Sequence, residues 1–97
     1  MASEPTVLRV RGIRGATTAS ANTREEILRA TKELMNRLIE ANNINPEEVA
    51  ATIFTTTQDL NAEFPAVAAR QMGWTHIALM CGHEMDVPGA LAHCIRI

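Results

Sequence analysis

At 97 residues the chain has room for one domain, and no second domain needs to be sought. A net charge of −2 and a pI near 5.9 supply no broad basic field for nucleic acid or an anionic membrane, so any anion has to be bound locally. With 46% apolar and 21% charged residues, and only Trp74, Phe54 and Phe64 as aromatics, the composition excludes disorder and demands an aliphatic, Met-containing core.

Met1–Thr6 carries no apolar signal region. Val7 to Val10 alternate apolar with polar positions and run into Arg11-Gly12-Ile13-Arg14-Gly15, which predicts a first strand whose glycines mark close backbone approach or a bulge. Thr23-Arg24-Glu25-Glu26 has capping-box spacing, and Ile27, Leu28, Thr31, Leu34, Met35, Leu38 and Ile39 then recur at three and four. They predict an amphipathic helix of about five turns. Glu25, Arg29, Lys32, Glu33, Arg37 and Glu40 form its solvated face. Asn42-Asn43 breaks that helix, and Asn45-Pro46-Glu47-Glu48 predicts a short helical turn capped by Asn45. Ala51 to Thr56 supplies β-branched and aromatic residues for a second strand. Phe64-Pro65 opens a short helix to about Met72, with Gly73 ending it in a left-handed conformation. Ile77 to Cys81 is the third strand. After Pro88-Gly89, Leu91 to Ile97 is a fourth strand or a helical turn leading into one.

This order places one long and one short helix over a mixed sheet, an α/β or α+β class. No apolar run approaches the ~20 residues that span a bilayer. Cys81 and Cys94 are too few and too far apart for a disulfide framework, and the cytoplasm is the expected compartment. A chain this short buries only roughly 60–65% of its unfolded surface, so association with copies of itself would add useful burial.

Ligand types for a metal exist in His76, Cys81, His83, Glu84, His93 and Cys94, but without Cys-x-x-Cys or a His-Glu-x-x-His spacing. No metal is expected. Cys81 and His83 would share a face, as a nucleophile and base must, only if a strand continues regularly through Gly82. Gly12-x-x-Gly15 lacks the Gly-Lys-Ser/Thr ending of a phosphate loop. Arg11, Arg14 and Arg96 are more informative, because they lie among apolar residues and glycines rather than on the charged helix face. An arginine held there needs a partner: a ligand carboxylate, or an ion pair with Glu84 or Asp86.

Val10-Arg11-Gly12-Ile13-Arg14-Gly15-Ala16-Thr17-Thr18 strongly resembles the opening strand of the monofunctional, trimeric chorismate mutases, the AroH class. Thr23-Arg24-Glu25-Glu26-Ile27 is similar to the start of that family's long helix, and Asp59-Leu60-Asn61-Ala62-Glu63-Phe64-Pro65-Ala66 to its loop into the second helix. Gly73-Trp74, Cys81-Gly82-His83-Glu84-Met85-Asp86-Val87 and Cys94-Ile95-Arg96-Ile97 extend the likeness to the end of the chain.

The resemblance implies a pseudo-α/β-barrel formed as a homotrimer, with active sites at subunit interfaces. It implies the pericyclic rearrangement of chorismate to prephenate in aromatic amino acid biosynthesis, with no metal or cofactor, no nucleic acid and no membrane. By matching motifs, Arg96 would lie at the ether oxygen and a carboxylate, Arg14 on the carboxylate side, and Glu84 on the substrate hydroxyl. Met80, Cys81, Gly82 and His83 would line the pocket, with Phe64 and Arg70 closing it from the neighbouring subunit. Val67 falls where some relatives carry a lysine. Family chains also continue beyond Arg96 through a strand with a pocket tyrosine and a covering tail, whereas no Tyr occurs here. The expectation is therefore a single domain, residues 1–97, lacking that strand and tail. Two other readings follow from this: a trimeric module that binds a small carboxylate without transforming it, or an inactive truncated form. An arginine one residue from the last can act only if its strand is paired on both sides or the chain is longer.

Overall fold

The computed structural model describes residues 8–97; Met1–Thr6, and Val7 at the expected start of the first strand, lie outside the described residues. The long helix α1 spans Arg24–Asn42. Thr23 caps it, its hydroxyl accepting from the Glu26 N–H at 3.2 Å. The Glu26 carboxylate reaches back to the Ser20 N–H at 3.1 Å, so the reciprocal half of the capping box closes on the preceding turn. The helix ends at Asn43 in a left-handed conformation (φ 50°), where the Asn43 and Ile44 N–H groups both donate to the Ile39 carbonyl. Asn45 caps a 3-10 turn over Pro46–Glu48, as its sequence predicts.

Four strands form one sheet in the order β1-β4-β2-β3: β1 (Ala16–Thr18), β2 (Ala51–Thr56), β3 (Ala78–His83) and β4 (Cys94–Arg96). β2 and β3 are parallel, while β4 runs antiparallel to both β1 and β2. The short helix α2 (Ala66–Gln71) supplies the crossover between β2 and β3, with Pro65 at its cap and Gly73 in the left-handed region (φ 90°) beyond its end.

The helices cover one face of the sheet. Ile27, Ala30, Leu34 and Met35 of α1 are buried, as are Ala66, Ala68 and Ala69 of α2 and Phe54, Ile95, Trp74 and Ile77 from the sheet and its approaches. Met35, Phe54, Ala66, Ala69, Trp74 and Ile77 form one cluster, and Ala19, Ile27, Ala30, Leu60 and Ile95 a second. Thr31, placed in the apolar stripe by its spacing, is fully buried and donates its hydroxyl to the Ile27 carbonyl at 2.7 Å. Among the described residues, no element covers the opposite face of the sheet. There Ile53 and its register partner Met80 remain 54% and 59% exposed.

The first strand differs from its expected position. Residues 8–14 form no strand, and pairing begins with reciprocal bonds between Gly15 and Ile97 before β1 itself. A strand needs a partner, and the described residues offer none to residues 8–14, whatever their alternation. The glycines divide as well. A Cβ on Gly15 would lie 2.9 Å from Leu38 Cδ2 and 3.1 Å from Leu34 Cδ1, so this glycine lets the strand approach α1, whereas Gly12 faces open space.

Candidate active site

β4 is only three residues long, yet it is paired on both sides, with Arg96 opposite Ala16 of β1 and Thr55 of β2. This meets the condition set by an arginine so near the end of the sequence. Its neighbours on that sheet face are short side chains, which leave space above the sheet for the guanidinium. Parallel pairing of β3 with β2 continues one residue past His83, through the Glu84 N–H donating to the Thr56 carbonyl at 2.9 Å. Alternation then puts Glu84 on the same uncovered face as Gly82 and Met80.

Arg96 and Glu84 meet there. Arg96 Nε donates to Glu84 Oε1 at 2.6 Å, with the arginine side chain 53% exposed and the glutamate 22%. This hydrogen bond holds the guanidinium more firmly in its charged form than usual. The other carboxylate oxygen, Glu84 Oε2, is buried and has no hydrogen-bond partner among the described residues. A buried acceptor left open beside a fixed cation is suited to a ligand that brings a donor and a negative charge.

The remaining sequence candidates fall into three groups. Met80 and Gly82 share the uncovered face with Arg96 and Glu84, and Arg14 is exposed two residues before Ala16. Cys81 and His83 point to the other side. Cys81 pairs in register with Phe54 and packs on the core, while His83 Nδ1 lies 3.2 Å from the Thr56 hydroxyl. The strand does run regularly through Gly82, so these two residues share a face, but the histidine is engaged by Thr56. Phe64 and Arg70 form the third group. Phe64 is 67% exposed on the loop before α2, and Arg70 borders an open depression of about 180 Å³ with Trp74, Thr75, Ile77 and Leu79 beside β3. Among the described residues, no three His, Cys, Asp or Glu side chains gather as a metal site would require.

Residues 10–97 match the family model described as chorismate mutase type I. The chain belongs to that family. It is similar to chorismate mutase AroH of Bacillus subtilis (strain 168), 48% identical over 89 residues that make up 91% of this chain and 70% of the relative. Chorismate mutase AroH of Thermus thermophilus is 51% identical over 89 residues, 91% of this chain and 73% of that protein. Among solved structures, a chorismate mutase from Clostridium thermocellum superposes with a TM-score of 0.88 at 53% identity, covering 90% of this chain and 78% of that one.

Within this chorismate mutase fold, sequence reasoning left out the side chains that brace the site. Asn22 Oδ1 accepts from the Asn61 and Ala62 N–H groups, and Arg24 pairs with Glu63 at 2.9 Å, tying the loop that carries Phe64 to the start of α1. Asp59 and Thr57 tie the other end of that loop to β4. The short Thr57-Gln58-Asp59 spacing, a hydroxyl two residues before a carboxylate, is the one local signal that could have found Thr57 and Asp59.

Proposed function

We propose that this chain rearranges chorismate to prephenate, with Arg96 and Glu84 as the centre of the site. The reaction is intramolecular: one C–O ether bond breaks and one C–C bond forms, with no proton transferred and no nucleophile or cofactor required. Negative charge develops on the ether oxygen as that bond lengthens. A guanidinium fixed on a strand paired at both edges meets that charge without reorganising, which is where most of the acceleration would arise. A millionfold gain needs about 8 kcal/mol of preferential transition-state binding.

The observation that carries this reading is the Arg96–Glu84 pair with Glu84 Oε2 left open. Glu84 would accept from the substrate hydroxyl, and Arg14, exposed two residues before β1, would take a carboxylate. Phe64 is exposed on the loop before α2, and Arg70 borders the depression beside the core-facing Leu79 rather than the uncovered face, which supports a homotrimer in which a neighbour supplies them. The exposed apolar sheet face supports the same assembly. Gly82 and Met80 would then line the open side of the site, while Cys81 and His83, whose side chains face the core, would contribute only their backbone to the wall. No helix among the described residues is long and apolar enough to cross a membrane, and Cys81 and Cys94 are unpaired, as in the reducing cytoplasm we propose for the enzyme.

The test is the loss of chorismate absorbance with the parent chain and with Arg96→Lys. Lysine keeps the charge but loses the planar fork, so turnover should fall on the order of a hundredfold while the Michaelis constant moves less. Tight binding of a transition-state-like dicarboxylate by a parent chain that turns nothing over would favour the binding module instead.

A further inference from the structure

The short strand that carries Arg96 is entered through an unfavourable backbone conformation. His93 has φ 52°, in the left-handed region that a residue with a Cβ adopts at a cost, and Cys94 immediately after it begins β4 fully buried. Asp59 and Thr57 hold this entry. One carboxylate oxygen of Asp59 accepts from the His93 N–H at 3.0 Å, and the other accepts from the Thr57 hydroxyl. That hydroxyl in turn accepts from the Cys94 N–H at 2.9 Å, and the Thr57 N–H donates to the Cys94 carbonyl at 3.0 Å. Two consecutive N–H groups at the start of β4 are thus bound to side chains at the end of β2.

We infer that Asp59 is a positioning residue for Arg96: with Thr57 it fixes the left-handed entry at His93 and so sets where β4 places the guanidinium. This rests on the reading of Arg96 as the residue at the ether oxygen. Arg96 stands two residues beyond the clamp, and β4 has only three residues over which an error could be absorbed. A displacement of about 1 Å in a catalytic group is enough to cost a large part of its effect. His93 Nε2 lies 3.9 Å from Asp59, and the Thr57 hydroxyl and His93 N–H together keep the Asp59 carboxyl below its usual range.

The test is a double-mutant cycle on the full chain, combining Asp59→Asn with Arg96→Lys, read by steady-state kinetics and by the Arg96 Nε–H resonance. Asparagine leaves one oxygen where the clamp uses two. Asp59→Asn should lower kcat by about tenfold with little change in KM, and should cost less than about twofold once Arg96 is already lysine. The Nε–H signal, shifted and sharp when donated to Glu84, should move toward that of a free arginine. If Asp59→Asn does not fold, Thr57→Val removes the shared hydroxyl and carries the same cycle. Additive losses, or an unmoved Nε–H resonance in the folded variant, would overturn the inference. Should Arg96→Lys itself leave turnover intact, the reading of Arg96 fails, and the resonance still decides whether Asp59 positions the guanidinium.

Discussion

Arg96 and Glu84 contact each other across twelve residues of chain, most of them in an irregular segment from Met85 to Ala92. Nothing in their spacing predicts the contact, because the intervening turn at Val87–Ala90 and the left-handed His93 decide it. What the sequence does reveal is that an arginine among apolar residues needs a partner. The pair also explains why charge and shape must be tested separately. Arg96→citrulline preserves the planar group and most of its donors but removes the charge, so it should abolish most turnover; near-full turnover in chorismate absorbance assays would refute the electrostatic role. Glu84→Ala acts on the other partner. It removes a half-buried acceptor and leaves Arg96 without its hydrogen bond, so substrate affinity and turnover should both fall, by roughly tenfold or more. Unchanged kinetics would remove Glu84 from the site.

Elements whose signals are local were legible, and those that depend on distant partners were not. Thr23, Asn43 and Asn45 mark the ends of α1 and the 3-10 turn through contacts within six residues. The strand expected from Val7 onward shifted to Ala16–Thr18 because its pairing depends on β4, nearly 80 residues away. The braces from Asn22 and Asp59 span 34 to 40 residues and leave almost no trace in periodicity. At the start of α1 the local signal has a consequence for stability. The Arg29 side chain, then the Ser20 N–H, hold the Glu26 carboxyl down at about 2 from an ordinary value of 4.5. A depressed folded value means that Glu26 stabilises the fold above pH 4.5 and loses that contribution as pH falls toward about 2. Glu26→Gln should therefore lower the thermal midpoint at about pH 6 more than at about pH 2.5. A midpoint difference that stays constant between those conditions would show that the capping charge contributes nothing.

At the scale of the whole molecule, the two faces of the sheet pose different problems. One is closed by α1 and α2, while the other leaves Ile53 and Met80 side by side in the open, next to the proposed site. Leu8 and Val10 are likewise in the open, 90% and 102% exposed. Scattered exposed apolar residues are ordinary, but adjacent ones on a flat sheet face mark a contact surface. Among the described residues, both edge strands, β1 and β3, also keep one side unpaired. The homotrimer proposed above would account for these features together and would bring Phe64 and Arg70 of a neighbour toward Arg96. The discriminating variant is Ile53→Glu. Because Ile53 is half exposed in the single chain, a glutamate there should change the far-ultraviolet spectrum and intrinsic stability little, within about 0.5 kcal/mol. Inside a subunit contact the same carboxylate would be buried without a partner, which is costly. Light scattering should then report a trimer mass for the parent and a concentration-dependent shift to smaller species for the variant. Turnover should fall in step with assembly, since each site would lose the residues its neighbour supplies. A parent mass equal to the monomer at every concentration, or an Ile53→Glu chain that stays trimeric and fully active, would refute the assembly and require the site to be completed within one chain.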